Sequence, residues 1–391
     1  MGTTVSAYAL YQKWRNMFRR APGCALCGTT PCAPQQALPF MRAMAGKPAR
    51  TDGMPRPVAP QGRRATSYDV AMAAGVAQST VSRCFLPGSE VSAATRARVR
   101  GVADTLGYVP NAIARSLITR RSEMVAVIVT GFTLQTNPAI VGGLGRALAA
   151  HGKQLLLMTA EGEAGALAAA QAALRYPLDG LVLATTLDAT AVRPFLRRGV
   201  PVVCFNRPAP LPRVDRVATD HAAAAQEVAG LLHAAGHRRF LCVGSPPGWP
   251  VNAERARGFV GRLATLGIPG VPVLAAEQSY AGGRAAFLQH VRAHGPPDAV
   301  FCVNDPLACG VLDACRFDLG LQAHHGISVV GFDDVAEAGH QAYDLTTVRQ
   351  DIAALALAAV GMLLHRLDAP EDGAQRLLLP GVLVRRGSAR L

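Results

Sequence analysis

Between residues 124 and 332 the chain repeats one pattern, a short continuous apolar run followed by a longer stretch with apolar residues at helical spacing. The runs are MVAVIV, QLLLMT, DGLVLA, PVVCFN, RRFLCVG, VPVLA, DAVFCV and ISVVGF; the helical stretches include 138–150, 221–235 and 253–266. Strands apolar on both faces, alternating with amphipathic helices, predict parallel sheets covered on both sides. About 260 residues exceed what one such sheet needs, so two α/β lobes are predicted. Their expected limits are 123–222 with 351–379 for the first lobe and 223–350 with 380–391 for the second. Ligands of open α/β sheets sit beyond the carboxyl ends of the strands, which here means the cleft between lobes.

Ahead of this region the pattern shortens. Thr66 or Ser67 caps a helix to Ala74 with Val70, Ala71 and Ala74 inward, and Gly75 supplies a turn. A second helix over 78–86 buries Val81 and Phe85 and leaves Gln78, Ser79, Ser82 and Arg83 outside. A third, between Ser92 and Gly107, turns Val99, Val102, Ala103 and Leu106 inward and Arg96, Arg98 and Arg100 outward. Two short helices joined by Ala-Gly-Val are the sequence form of a helix-turn-helix, an all-α DNA-binding domain over 65–109 whose second helix enters the major groove. Taken alone, the same pattern also describes a three-helix packing module with a polar face. In 110–122, Pro110 sets the chain direction and Asn111 can cap a helix over 112–118, with Ala114 and Leu117 on one face. Two turns are marginal in water, so this hinge is expected to fold only when something packs against it.

Charge favours the DNA reading. Residues 1–122 hold 17 Lys/Arg and 4 Asp/Glu, net +13, while the rest of the chain is nearly neutral. A basic third on a neutral body is the footprint of a polyanion partner, although a solubilising tail has the same charge. Residues 1–64 are expected to be a poorly ordered leader, since 20–64 carry eight prolines and little periodicity, with Met41, Met44 and Met54 as alternative starts. Within it Cys24, Cys27 and Cys32 resemble half of a zinc site, but a fourth ligand is missing, so no metal is expected. The remaining cysteines fall in apolar runs and suit reduced core thiols. No signal segment or run of eighteen apolar residues occurs, which predicts a cytoplasmic protein without a membrane partner.

The candidate chemistry lies at strand ends: Asn206 and Arg207 after PVVCF, Asn304 and Asp305 after DAVFCV, Asp333 and Asp334 after ISVVGF, and Arg255 in NAERARGF. Amides, carboxylates and guanidinium groups converging on a cleft suit a polyhydroxyl ligand. Each also has a plainer role available; Asp305, just before Pro306, can cap the next helix. An enzyme finds little support. The glycine-rich GGLGRA at 142–147 falls inside a helical pattern, and no phosphate-binding lysine loop, G-x-S-x-G or H-E-x-x-H occurs. No cofactor is expected. A solute-binding receptor explains the α/β part but neither the basic helices nor the missing signal segment.

YDVAMAAGVAQSTVSR, EVSAATRARV and LGYVPNAIARSL closely resemble the signature of the lactose-repressor and galactose-repressor family of bacterial transcription regulators. GHRRFLCVG, ERARGF, VNDPLACG, ISVVGFDD and LTTVRQD are similar to the blocks of that family's core, which it shares with periplasmic sugar-binding proteins. The resemblance implies a helix-turn-helix domain plus a two-lobed periplasmic-binding-protein-like core. It implies base reading by Gln78, Ser79 and Arg83, phosphate or register contacts by Tyr68, Thr80, Ser82 and Thr95, and a hinge bearing Asn111, Ala114 and Leu117 that inserts Leu117 into the minor groove. It also implies effector contacts by Arg255, Asn304, Asp333 and Asn206, the effector being a sugar, sugar acid or nucleobase. The implied partners are double-stranded DNA with a pseudo-palindromic operator and a second copy of the chain. Leu86, where the family carries a polar residue, and Glu90, a negative charge near phosphate, depart from the pattern.

Overall fold

The computed structural model describes residues 63–86, 88–110, 121–321 and 326–391. They fall into two compact units, one ending at Ser122 and the other running from Glu123 to Leu391.

Among the described residues the first unit has three helices: α1 (Ser67–Ala74), α2 (Gln78–Cys84) and α3 (Ala93–Leu106). Thr66 and Asp69 cap α1 reciprocally, each side chain accepting from the other's backbone N–H. Gly75, at φ 59°, ends α1 in a left-handed conformation that costs glycine little. Val70, Ala71, Ala74, Val81, Cys84, Val99, Ala103 and Leu106 form the core. Two expectations need correction. Helix α2 stops at Cys84, and it is the small Cys84 that is fully buried, while Phe85 stays at the margin, edge-to-face with Tyr108 at 5.9 Å. Both lie on the face of Val81, and the centre of so small a bundle admits the smaller side chain. Arg96 does not face outward: its guanidinium donates to the carbonyls of Cys84 (2.9 Å) and Ser89 (2.8 Å), holding the loop between α2 and α3.

The second unit contains two six-stranded sheets. The first has the order β11-β5-β4-β3-β1-β2, from β1 (Met124–Thr130), β2 (Gln154–Ala160), β3 (Gly180–Ala184), β4 (Val202–Phe205), β5 (Asp215–Thr219) and β11 (Arg376–Leu379), with all neighbours parallel. Helices α4 (Gly131–Thr136), α5 (Ala139–Ala149), α6 (Gly162–Ala173), α7 (Ala189–Arg197) and α12 (Ile352–Asp368) accompany it; α5 and α12 pack on one face, α6 and α7 on the other. The second has the order β12-β10-β9-β8-β6-β7, from β6 (Phe240–Gly244), β7 (Val273–Ala275), β8 (Ala299–Cys302), β9 (Ser328–Asp333), β10 (Thr346–Arg349) and β12 (Val382–Val384). Its helices are α8 (His221–Ala234), α9 (Pro250–Thr265), α10 (Tyr280–His294) and α11 (Asp305–Asp313). GGLGRA lies inside α5.

Strand β12 runs antiparallel to β10, so the second sheet is not wholly parallel. The strands missing from the apolar runs, β5, β10, β11 and β12, have five residues or fewer, and β5 and β10 interleave polar residues. Strand β2 is an edge strand, which leaves Leu157 38% exposed despite its apolar run. The chain passes between sheets three times, after β5, after β10 and after β11. Gly381 lies in the last crossing, where an added Cβ would stand 2.6 Å from Val348 Cγ1 and 3.0 Å from Ala224 Cβ.

Candidate functional site

On the three-helix unit the surface of α2 presents Ser79 and Arg83 exposed, with Thr80 and Ser82 half-buried beside them. Tyr68, on α1, is 72% exposed, unusual for an aromatic side chain in a packed module. Gln78 is tethered, its Nε2 donating to Ser67 Oγ at 3.1 Å and Ser82 Oγ at 3.3 Å. Thr95 lies in the first turn of α3, where its N–H donates to the capping Ser92 Oγ. Arg98 and Arg100 are exposed on α3. Glu90 is exposed and Leu86 half-buried. The bidentate pair with Arg63, at 2.9 and 2.7 Å, and bonds from Thr66 hold the Asp69 carboxyl well below the usual carboxylate range. Exposed arginine, hydroxyls and a phenol around one helix can bond base edges and phosphate oxygens. Asn111, Ala114 and Leu117 lie outside the described residues, as do Cys24, Cys27 and Cys32.

The second unit holds a cavity of about 450 Å³ between its two sheets, within the range typical of small-ligand sites. All four residues expected there, Asn206, Arg255, Asn304 and Asp333, line it. Asn206 follows β4 at φ 50° and Asp333 ends β9 at φ 117°, so two of them sit in backbone conformations that non-glycine residues seldom adopt. Such strain concentrates at functional sites.

A polar relay joins the two sheets across this cavity. Asn206 Oδ1 accepts from the Thr219 N–H (2.8 Å), and its Nδ2 donates to Gln350 Oε1 (2.8 Å). Gln350 Nε2 donates to Asp333 Oδ1 (2.7 Å), which also receives Arg255 Nη2 (2.9 Å). Arg255 is fixed on every side: Nη1 donates to the Val303 carbonyl at 2.7 Å, Nε to His221 Nδ1 at 3.3 Å, and its guanidinium lies 3.8 Å above the Phe332 ring. Burial pushes the Asp333 carboxyl up, while the Arg255 cation and the bond from Gln350 pull it back down. Burial and the same cation hold the His221 imidazole well below its ordinary value, so the ring is neutral. Because Nδ1 accepts from Arg255, the proton sits on Nε2, which has no partner among the described residues.

Asn304, not Asp305, caps α11, accepting from the Leu307 N–H at 3.1 Å; its Nδ2 donates to Gln278 Oε1 at 2.6 Å, which also accepts from Asn252. Asp305 turns into the sheet, fully buried, and accepts from Thr347 Oγ1 (2.6 Å) and the Val335 N–H (2.9 Å). Burial and the nearby Asp333 push its carboxyl up to about 7. Asp334 stays out of the cavity, paired with Arg349 and Arg386.

The sequence reading missed Gln350, Gln278 and Asn252, and an aromatic pair in the cavity wall: Phe132, from the first-sheet side, meets Trp249, from the second, edge-to-face at 5.3 Å. Gln350 follows β10 directly, but β10 is one of the short strands outside the apolar runs, so the strand-end rule that found Asn206 had no strand to start from. Nothing in the local pattern marks Phe132, since α4 is a six-residue helix.

Comparison with known proteins covers both units. Residues 66–111 match the family model of bacterial regulatory proteins, lacI family, and residues 229–389 match a periplasmic binding protein-like domain. The chain is 31% identical to the ribose operon repressor of Escherichia coli strain K12 over 331 residues, 83% of this chain and 100% of that protein. The solved structure of the Lac repressor dimer bound to operator and the anti-inducer ONPF superimposes with a TM-score of 0.76 at 26% identity, covering 83% of this chain and 99% of the other. The complex of the transcriptional regulator CelR with cellobiose superimposes with a TM-score of 0.62 at 29% identity, covering 83% and 100%.

Proposed function

The chain belongs to the lacI family of bacterial regulatory proteins, and from that premise we propose that a small polar effector, held in the cavity between its two sheets, sets its affinity for a DNA operator. It is a DNA-binding transcriptional regulator and not an enzyme. The observation that carries the proposal is the relay from Asn206 through Gln350 to Asp333 and Arg255, which ties the effector cavity to the crossings between lobes. An effector that displaces or extends these bonds favours one angle between lobes over another. Only the difference between its affinities for the two states can change operator occupancy.

The proposed operator contacts are Gln78, Ser79 and Arg83 to base edges and Tyr68, Thr80, Ser82 and Thr95 to the backbone; Asn111, Ala114 and Leu117 add contacts from the hinge. One relative represses the ribose operon and a structural relative holds cellobiose, which supports a polyhydroxylated effector here. Arg255, Asn304, Asp333 and Asn206 are its proposed polar partners, with Phe132 and Trp249 against its apolar faces. The Lac repressor relative is a dimer on its operator, and a homodimer on a pseudo-palindromic site is proposed for this chain. Because it acts on DNA, the cytoplasm is its proposed location. Among the described residues no helix is long and apolar enough to cross a membrane.

Thermal-shift screening of the full chain against sugars, sugar acids and nucleobases tests the effector site. A compound at a hundred times its Kd stabilises the folded state by about 2.7 kcal/mol. Asp333→Asn and Asn304→Ala should each remove most of that shift, and a shift that survives both would move the site out of this cavity.

A further inference from the structure

The cavity carries a cation that, among the described residues, forms no ion pair with the carboxylates around it, and we infer that the effector bears an anionic group, a carboxylate or a phosphate monoester, seated on Arg207. The inference rests on the reading of this cavity as the effector site. Arg207 directly follows Asn206 at the carboxyl end of β4, where ligands of such sheets bind, and it lines the cavity. Its guanidinium makes two bonds, Nη1 to the Asn206 carbonyl at 2.8 Å and Nη2 to Thr133 Oγ1 at 3.4 Å. Among the described residues no carboxylate pairs with it. Asp333, the inward acid of the wall, is taken by Arg255 and Gln350. The other two acids whose positions border the cavity, Glu161 and Glu277, are exposed to solvent.

Burial and the nearby Arg255 push Arg207 down to about 10, against an opposing pull from Asp333, so it stays charged at neutral pH. A neutral sugar closing this cavity would strip water from that charge and offer only hydroxyl oxygens in return. An unpaired buried charge is among the costliest arrangements in a protein. A carboxylate or phosphate oxygen forms a charge-assisted bond with the planar fork, which a hydroxyl cannot match. The other end of the cavity, with Asn304, Gln278 and the Arg255–Asp333 pair, offers donors and acceptors for hydroxyl groups. The cavity is thus polarised, an anion at β4 and hydroxyls at β8 and β9.

Trp249 reports the cavity directly, because the chain has only two tryptophans and the other, Trp14, can be replaced. In full-length protein carrying Trp14→Phe, Trp249 fluorescence is titrated with D-gluconate, D-galactonate, D-glucose 6-phosphate and D-ribose 5-phosphate, with inorganic phosphate, and with the parent sugars. At least one anionic probe should bind about tenfold or more tighter than its parent sugar. In Arg207→Gln that ratio should collapse towards one, with Arg207→Lys between the two. Whether the carboxylates or the phosphates carry the preference identifies the group. Equal binding of acid and parent sugar, an unchanged ratio in Arg207→Gln, or no saturable response to any anionic probe would overturn the inference. Parent-sugar binding that is lost in Asp333→Asn would then leave the effector cavity standing, whereas binding indifferent to both substitutions would remove the cavity reading as well.

Discussion

Arg83 is exposed on α2, and none of its guanidinium N–H groups is bonded among the described residues, the condition a base-reading guanidinium needs. Arg83→Ala should cost about 1–3 kcal/mol at the cognate operator and relax preference at one base pair, measured by fluorescence anisotropy on a set of single-base operator variants. Equal loss on every sequence would make it a phosphate contact. Arg96 behaves in the opposite way although the sequence places it beside Arg98 and Arg100, because three acceptors around the loop before α3 capture it. Helical periodicity assigns a face but not the bonds a long side chain can make along it.

Asp305 carries a residue-scale prediction of its own. Burial raises its carboxyl from an ordinary ~3.9 to about 7. Between these values the folded state binds more protons than the unfolded one, so this residue's contribution is complete below pH 4 and is lost as pH rises towards 7. Each pH unit between the two values is worth about 1.4 kcal/mol. Urea denaturation at pH 4.5 and 7.5 should therefore show wild type losing stability relative to Asp305→Asn as pH rises, and a constant difference would contradict it. The sequence suggested a cap here; the side chain instead braces β10 and the segment after β9.

At the scale of elements, the strand and helix repeat was legible because buried parallel strands are apolar throughout. The edges were not. Strands β5, β10, β11 and β12 are short, and Thr346 and Thr347 are buried polar residues satisfied by Ser388, Arg386 and Asp305, bonds that no local pattern displays. Those short strands frame the three crossings, so the part of the fold that positions the cavity was also the part hardest to read. Asn206, Arg255, Asn304 and Asp333 were legible as strand-end or helix polar groups, whereas Gln350, which joins two of them, depends on the return of the chain after β10. Packing at the crossings is tight. Gly381→Ala should cost about 1–3 kcal/mol through overpacking against Val348 and Ala224. Gly373→Ala, where an added Cβ meets nothing within 4 Å, should leave the urea midpoint unchanged and serves as its control.

For the whole molecule, the sequence divides into a basic DNA-reading part and a nearly neutral α/β part, and regulation requires that the cavity of the second alter the DNA affinity of the first. The weak point of any such coupling is energetic: a compound that binds both states equally changes nothing, however tightly it binds. The most direct test starts by selecting DNA sites for the full-length chain from a random library. Operator affinity is then measured with and without each compound that the thermal-shift screen returns, for wild type and for Asp333→Asn. A pseudo-palindromic site is expected, and at least one compound should shift wild-type operator affinity by about fivefold or more, the usual scale of allosteric coupling, with the shift largely lost in Asp333→Asn. Selection of no two-fold site, or a shift of the same size in both proteins, would contradict it.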